Sequence, residues 1–309
     1  MKRNMVWTLF FIAMLSLSLA AVAKDDEDMT GYACSPANVA GTWGYIETAT
    51  IFDAGVGYPY ASVGIYTLDA QGNLSGKRTA SLAGTPLKAT IVGTAAVNPD
   101  CTGTENLSFY DESGTLTGQV TKALLYVNKG REVNKIITGT SAPMVAITKA
   151  KRVLPGRKNL LDLNRRDNGR RAFGCSSADL EGEWGTTMTG TIMSPAGAVT
   201  FGAVNKAAYD AEGNYGGTQI RSINGTVSTV TFQGTYTLNP DCTGTKITKS
   251  YGSSGNLLNT ATQDFVLVDN ANEIFEIFTS NIRADNVPLP MIVTGQSQKL
   301  FPKGAQALD

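Results

Sequence analysis

Between residues 229 and 238 the chain alternates with a period of two. Val230, Phe232, Gly234, Tyr236 and Leu238 are interleaved with Thr229, Thr231, Gln233, Thr235 and Thr237. That period marks a strand with one buried and one wet face. The run stops at Asn239-Pro240-Asp241-Cys242, where proline cannot donate to a ladder and Asp, Thr and Gly turn the chain back. A matching strand puts Ala89, Ile91, Gly93, Ala95 and Val97 on its buried side and stops at Asn98-Pro99-Asp100-Cys101. Segments 60–68 and 201–209 each run into Asp-Ala-x-Gly-Asn, a hairpin turn with Gly and Asn available for positive φ. Here Ile65 is matched by Lys206, which assigns that face to solvent and leaves Tyr60, Tyr66, Leu68, Phe201 and Tyr209 inside. Continued along the first half, the pattern predicts strands near 42–50, 60–68, 73–82, 87–97, 103–110, 116–127, 132–139 and 143–152. Eight strands with short turns, and no helix long enough for a βαβ crossover, predict an antiparallel meander. Closure into a barrel removes both edges, and a two-sheet sandwich is the alternative.

The second half repeats the first at an offset of 141, which carries Cys34 and Cys101 onto Cys175 and Cys242. Asn98-Pro99-Asp100-Cys101-Thr102-Gly103-Thr104 maps onto an identical heptapeptide, and Gly41-Thr42-Trp43-Gly44 onto Gly182-Glu183-Trp184-Gly185. Near the end of the repeat the register slips by about six residues, Met144-Val145 matching Met291-Ile292. The expected fold is therefore all-β, with two tandem eight-stranded antiparallel meander barrels at 33–153 and 173–303. The simplest pairing of the cysteines is one disulfide per repeat, Cys34–Cys101 and Cys175–Cys242; a bridge between domains would break the equivalence.

Outside the repeats the composition changes. Lys2 and Arg3, the apolar run from Trp7 to Leu15 and Ala21-Val22-Ala23 make residues 1–23 a signal peptide. An acidic tail follows at 24–32. Export to the periplasm or beyond puts the cysteines in an oxidising compartment. Loss of 1–23 removes two of 26 basic and none of 26 acidic residues, leaving 24 − 26 = −2. That balance argues against nucleic acid as a partner. Between the repeats, 154–172 is an exposed basic linker, with contact to an anionic surface as its functional alternative. With no histidine in the chain, Ser-His-Asp triads and His-ligated metals are excluded.

Gly41 and Trp43, repeated as Gly182 and Trp184, form a Gly-x-Trp at the start of a first strand. With the meander and the disulfide, the chain resembles the lipocalin (calycin-type) barrels, in the form of an exported bacterial protein with two tandem copies. The resemblance implies that each Trp plugs the closed end of its barrel. It further implies a basic side chain packed over that Trp, here Arg152 or Lys151, and Lys299. The Thr-Asp-Tyr turn and the C-terminal helix of classical lipocalins are missing. Barrels of the allene oxide cyclase type are a related form.

Three carboxylates occur in both repeats, Asp69/Asp210, Asp100/Asp241 and Glu132/Glu273. All lie at turns or strand starts, so they are read as turn formers rather than as an acid–base pair. Asp-Ala-x-Gly-Asn lacks the ligand set of a calcium loop, so no metal and no cofactor is expected. The candidate ligand-binding residues are the inward ring Tyr45, Tyr60, Tyr66 and Ile91, and its counterpart Phe201, Tyr209, Phe232 and Tyr236. Aromatic rings with polar tips suit a small apolar or amphipathic molecule, and an eight-stranded barrel can hold one. The expected protein is an exported, monomeric, non-enzymatic binder. The rival is a structural or adhesive envelope protein with solid barrels, and an isomerase or cyclase stands third. Interior volume separates the first two.

Overall fold

The computed structural model describes residues 33–153, 174–194 and 197–301. The expected signal peptide, acidic tail and basic linker lie outside them. In the first repeat the alternating segments form β1 (Gly41–Asp53), β2 (Val56–Leu68), β3 (Asn73–Leu82), β4 (Thr85–Val97), β5 (Thr102–Tyr110), β6 (Leu116–Val127), β7 (Glu132–Thr140) and β8 (Met144–Arg152). The second repeat forms β9 (Gly182–Ser194), β10 (Gly197–Tyr209), β11 (Asn214–Ile223), β12 (Thr226–Leu238), β13 (Thr243–Tyr251), β14 (Leu257–Val268), β15 (Glu273–Arg283) and β16 (Met291–Lys299). Each strand pairs antiparallel with the next. β8 returns to β1, with Arg152 opposite Trp43, and β16 to β9, with Lys299 opposite Trp184. Both sheets are closed barrels, which excludes the sandwich.

Local chemistry sets the turns. Gly72 and Gly213 take φ of 89° and 94°. The asparagines beside them are not left-handed; each starts the next strand, and its side-chain amide donates to Asp69 or Asp210. The disulfides are Cys34–Cys101 and Cys175–Cys242, each spanning 67 residues. They tie the start of each domain to the turn between its fourth and fifth strands, where Cys101 and Cys242 adopt φ of 68° and 70°.

Two one-turn helices, α1 (Pro36–Val39) and α2 (Ser177–Leu180), were not foreseen from the alternation. Each is held by a capping box, Ser35 with Asn38 and Ser176 with Asp179. The indoles of Trp43 and Trp184 are fully buried and donate to Val39 O and Leu180 O at 3.1 and 2.7 Å. Arg152 lies over Trp43 at 5.1 Å and Lys299 over Trp184 at 5.3 Å, so each barrel is plugged at this end.

The barrels share a core. Val266 and Val268 from the outer face of β14, with Phe275 and Ile277 from β15, pack with Ile46 of β1 and with Ala61, Val63 and Ile65 of β2. This corrects the solvent assignment of Ile65, which is buried because the second barrel covers it, whereas Lys206 in the other copy is exposed. Gly44 permits the approach: a Cβ there would sit 2.4 Å from Val268 Cγ1. Around the rim Lys151 pairs with Glu273 and with Glu132, and Thr79 Oγ1 donates to Asp264 at 2.8 Å. Glu132 and Glu273 are therefore not turn formers, because each holds a lysine. Asp69, Asp100 and Asp210 do cap their turns, as does Asp241, which additionally pairs with Lys77 at 2.7 Å.

Candidate functional site

The two interiors differ in how they are filled. At matching positions the first barrel carries Tyr45, Tyr66, Arg78 and Phe109 where the second carries Thr186, Ala207, Gln219 and Ser250. In the opposite sense, Leu68, Leu74 and Ala95 correspond to Tyr209, Tyr215 and Tyr236. The second barrel thus concentrates its bulk at the Trp184 end. Tyr209 stacks on Tyr215 at 4.9 Å and meets Trp184 at 6.2 Å. Above these rings a cavity of about 310 Å³ opens, whereas the first barrel keeps only about 10 Å³, room for a single water.

Of the residues singled out from the sequence, Phe201, Tyr209 and Phe232 line the large cavity. Tyr236 does not, because its hydroxyl is used at the base, donating to Asp210 O and Ser177 O. Tyr45, Tyr66 and Ile91 surround only the small void. Tyr60 accepts a hydrogen bond from Arg78 at 2.8 Å. Burial pushes the phenols of Tyr45, Tyr66, Tyr209 and Tyr215 up, and those of Tyr60 and Tyr236 to about 12. All six stay protonated near neutral pH and can donate hydrogen bonds.

Period-two reasoning missed the charged groups inside. In the first barrel Lys122 donates to Glu47, which also accepts from Thr148, and Lys135 pairs with Glu105 at 2.8 Å. Burial alone would raise the Glu47 carboxyl, yet Lys122 and Thr148 hold it below its ordinary value. In the second barrel Lys246 pairs with Glu276 and donates to Tyr209 Oη at 3.2 Å. Adding 141 carries Glu105 onto Lys246 and Lys135 onto Glu276, so the pair is kept with its polarity reversed. That inversion was visible in the sequence. Glu47 and Lys122 give way to the neutral Met188 and Gln263, which removes two charges from the second interior.

The remaining walls combine both chemistries. Met188, Ile192, Phe201, Phe232, Phe278 and Met291 are apolar, while Asn205, Gln219, Arg221, Thr248, Gln263 and Asn281 are polar. Tyr215 hydrogen-bonds Thr248, which donates to Gln263 Oε1 at 3.0 Å. Ile223, Leu258, Arg283 and Leu289 ring the end opposite Trp184, where the lining side chains are partly or fully exposed.

No family model matches the chain, and no curated protein does. Among solved structures it is similar to mFAP2b bound to DFHBI, at 13% identity over 41% of this chain and 99% of that one, TM-score 0.30. Transferrin binding protein B of Neisseria meningitidis serogroup B is 9% identical over 84% and 77%, TM-score 0.30. A DUF3598-family protein of unknown function from Nostoc punctiforme is 12% identical over 84% and 96%, TM-score 0.27. The barrel assignment rests on the strand register alone.

Proposed function

We propose that the chain is an exported, monomeric, non-enzymatic carrier of the lipocalin type. Its second barrel holds a small apolar or amphipathic molecule non-covalently, and its first is a solid scaffold. The cavity of about 310 Å³ in one barrel, against about 10 Å³ in the other, is the observation that carries this reading. It stands at the small end of ligand pockets, and its apolar walls with a few convergent polar groups are the composition of such sites. Gly-x-Trp closing each barrel under a basic side chain supports the lipocalin type, and two disulfides with no free cysteine among the described residues support an oxidising compartment. The absence of catalysis is supported by the pairing of Glu47, Glu105 and Glu276, each with a lysine.

Native mass spectrometry of the chain purified from its own host tests the reading. A co-purified small molecule is expected, and it should be lost when Ala207→Tyr and Ser250→Phe import the bulk of the first barrel. Ligand-free protein throughout would sink the carrier. A structural or adhesive role is favoured by one observation, the exposed Leu125, Ile136, Val145 and Ile147 on the outside of the first barrel. Binding to envelope particles that disappears on Ile136→Thr and Ile147→Thr would favour it over carriage.

A further inference from the structure

The charged groups of the second-barrel cavity are unequally matched. Lys246 has Glu276, and at the rim Arg283 has Asp285 at 3.0 Å. Arg221 lines the same cavity, between its register partners Ala203 on β10 and Ser228 on β12. Its Nε donates to Ser228 Oγ at 3.3 Å. Among the described residues no carboxylate reaches it and no aromatic ring lies beneath it. Burial, opposed by nothing, pulls its pKa below the ordinary arginine value.

The other repeat supplies the contrast. Position 80, which corresponds to 221, is Ala80. The inward arginine of the first barrel, Arg78, has a phenol and a ring: it donates through Nη1 to Tyr60 Oη at 2.8 Å and stacks on Phe109 at 3.6 Å, although its buried Nε has no acceptor. The second repeat has Gln219 there and has moved the cation one inward position towards the open end, where it keeps the Ser228 hydroxyl but has no phenol and no ring. One register step deeper, the buried Oδ1 of Asn205 has no hydrogen-bond donor. A half-buried cation with no counter-charge is costly in an empty interior, and a guest that supplies the missing charge offsets that cost; the Asn205 oxygen calls instead for a donor, which a carboxylate does not provide.

We infer that the guest is a small monoanionic amphiphile, its carboxylate-type head against Arg221 near the open end and its apolar body between Met188, Phe232 and Phe278. The inference rests on the carrier reading and sharpens it. A guanidinium holds a carboxylate through paired hydrogen bonds. The cavity, about 310 Å³, stands at the small end of ligand pockets, which limits the body to a short chain or a single ring system.

Calorimetric titration of the full chain with decanoate and with 1-decanol, which share a tail and differ in charge, tests it. Decanoate should bind at least about 10-fold more tightly, and Arg221→Gln should weaken it by roughly 10- to 100-fold while leaving decanol unchanged, as for loss of a charge-assisted hydrogen bond. Arg78→Gln should change neither. If Arg221→Gln loses decanol as well, Arg221→Lys decides: retained decanoate preference supports the inference, and its loss overturns it. Equal binding of the two probes by the unmodified chain overturns the anionic guest and leaves the carrier standing. Binding of neither overturns both.

Discussion

Reversing the ion pair at the base of the second barrel should leave the barrel folded, because the first barrel already uses the reversed form. Lys246 and Glu276 have side chains 3% and 0% exposed, so each would be a stranded charge if the other were removed. Removing one partner of such a pair costs about 3–5 kcal/mol. For a barrel of this size that lowers the unfolding midpoint by roughly 10–20 °C. Lys246→Met and Glu276→Gln should each pay this. The double variant Lys246→Glu, Glu276→Lys keeps opposite charges at the same positions and should recover all but about 1–2 kcal/mol. Full recovery is not expected. Lys246 also lies 5.5 Å from the Phe265 ring and 5.8 Å from those of Tyr209 and Tyr215, and a lysine at 276 forfeits that arrangement. In the first barrel Lys135 has Tyr66 at 4.3 Å, a ring the second replaces with Ala207. Urea titration followed by tryptophan fluorescence is the assay, repeated in a Trp43→Phe background so that Trp184 alone reports from the barrel bases. A cost below about 1 kcal/mol for Lys246→Met, or a double variant no more stable than either single one, would refute the reasoning.

Gly44→Val should destabilise the chain by at least ~1–3 kcal/mol, since its Cβ alone falls 2.4 Å from Val268. Gly185→Val, whose Cβ meets only Leu300 at 3.1 Å, should change thermal midpoints far less. Because the folded Glu47 carboxyl titrates below its ordinary value of 4.5, its stabilisation is present above that pH and is lost as pH falls from about 4.5 through the depressed value. Equilibrium unfolding against pH should therefore show a first-barrel acid limb that Glu47→Gln flattens, a contribution with no counterpart at Met188 of the second barrel, whose acid dependence comes from Asp210 and Asp241. Replacing Cys34 and Cys101 by Ser releases a 67-residue loop, worth about 4 kcal/mol by chain entropy, and in the variant reductant should no longer shift the first barrel's denaturant midpoint, while it still shifts that of the second through Cys175–Cys242.

What was legible in the sequence was local. Val230-x-Phe232 alternation, proline at 99 and 240, and glycine at 72 and 213 specify strands and turns within a few residues of themselves. The duplication added the cystines, because one spacing occurring twice favours pairing within each copy. The Ile65 error has a distant cause: its burial depends on Val266 and Val268 in the other domain, which no window around β2 contains. Glu47 and Lys122 are 75 positions apart, so their pairing needs the closed barrel. The hollow interior was hidden for a different reason. It is a sum over a ring of side chains, where Ala207 and Ser250 count only because Tyr66 and Phe109 fill the same places in the first copy. Arg221 sits in plain alternation with Gln219 and Ile223, and its significance lies in the partners it does not have.

The contact between the barrels is head-to-tail, the β14–β15 face of one repeat covering the β1–β2 face of the other. Contacts of this kind propagate into filaments unless something stops them. The first barrel still presents a copy of the covering face, with Leu125 and Ile136 at the positions of Val266 and Ile277. On the second barrel the copy of the covered face reads Thr187, Gly202, Val204 and Lys206, the last paired with Glu183 at 3.0 Å. Another molecule adding there would have to bury that lysine. Lys206, with Thr187 in the place of Ile46, therefore works against a third barrel adding at that face, and Lys206→Ile should favour end-to-end association.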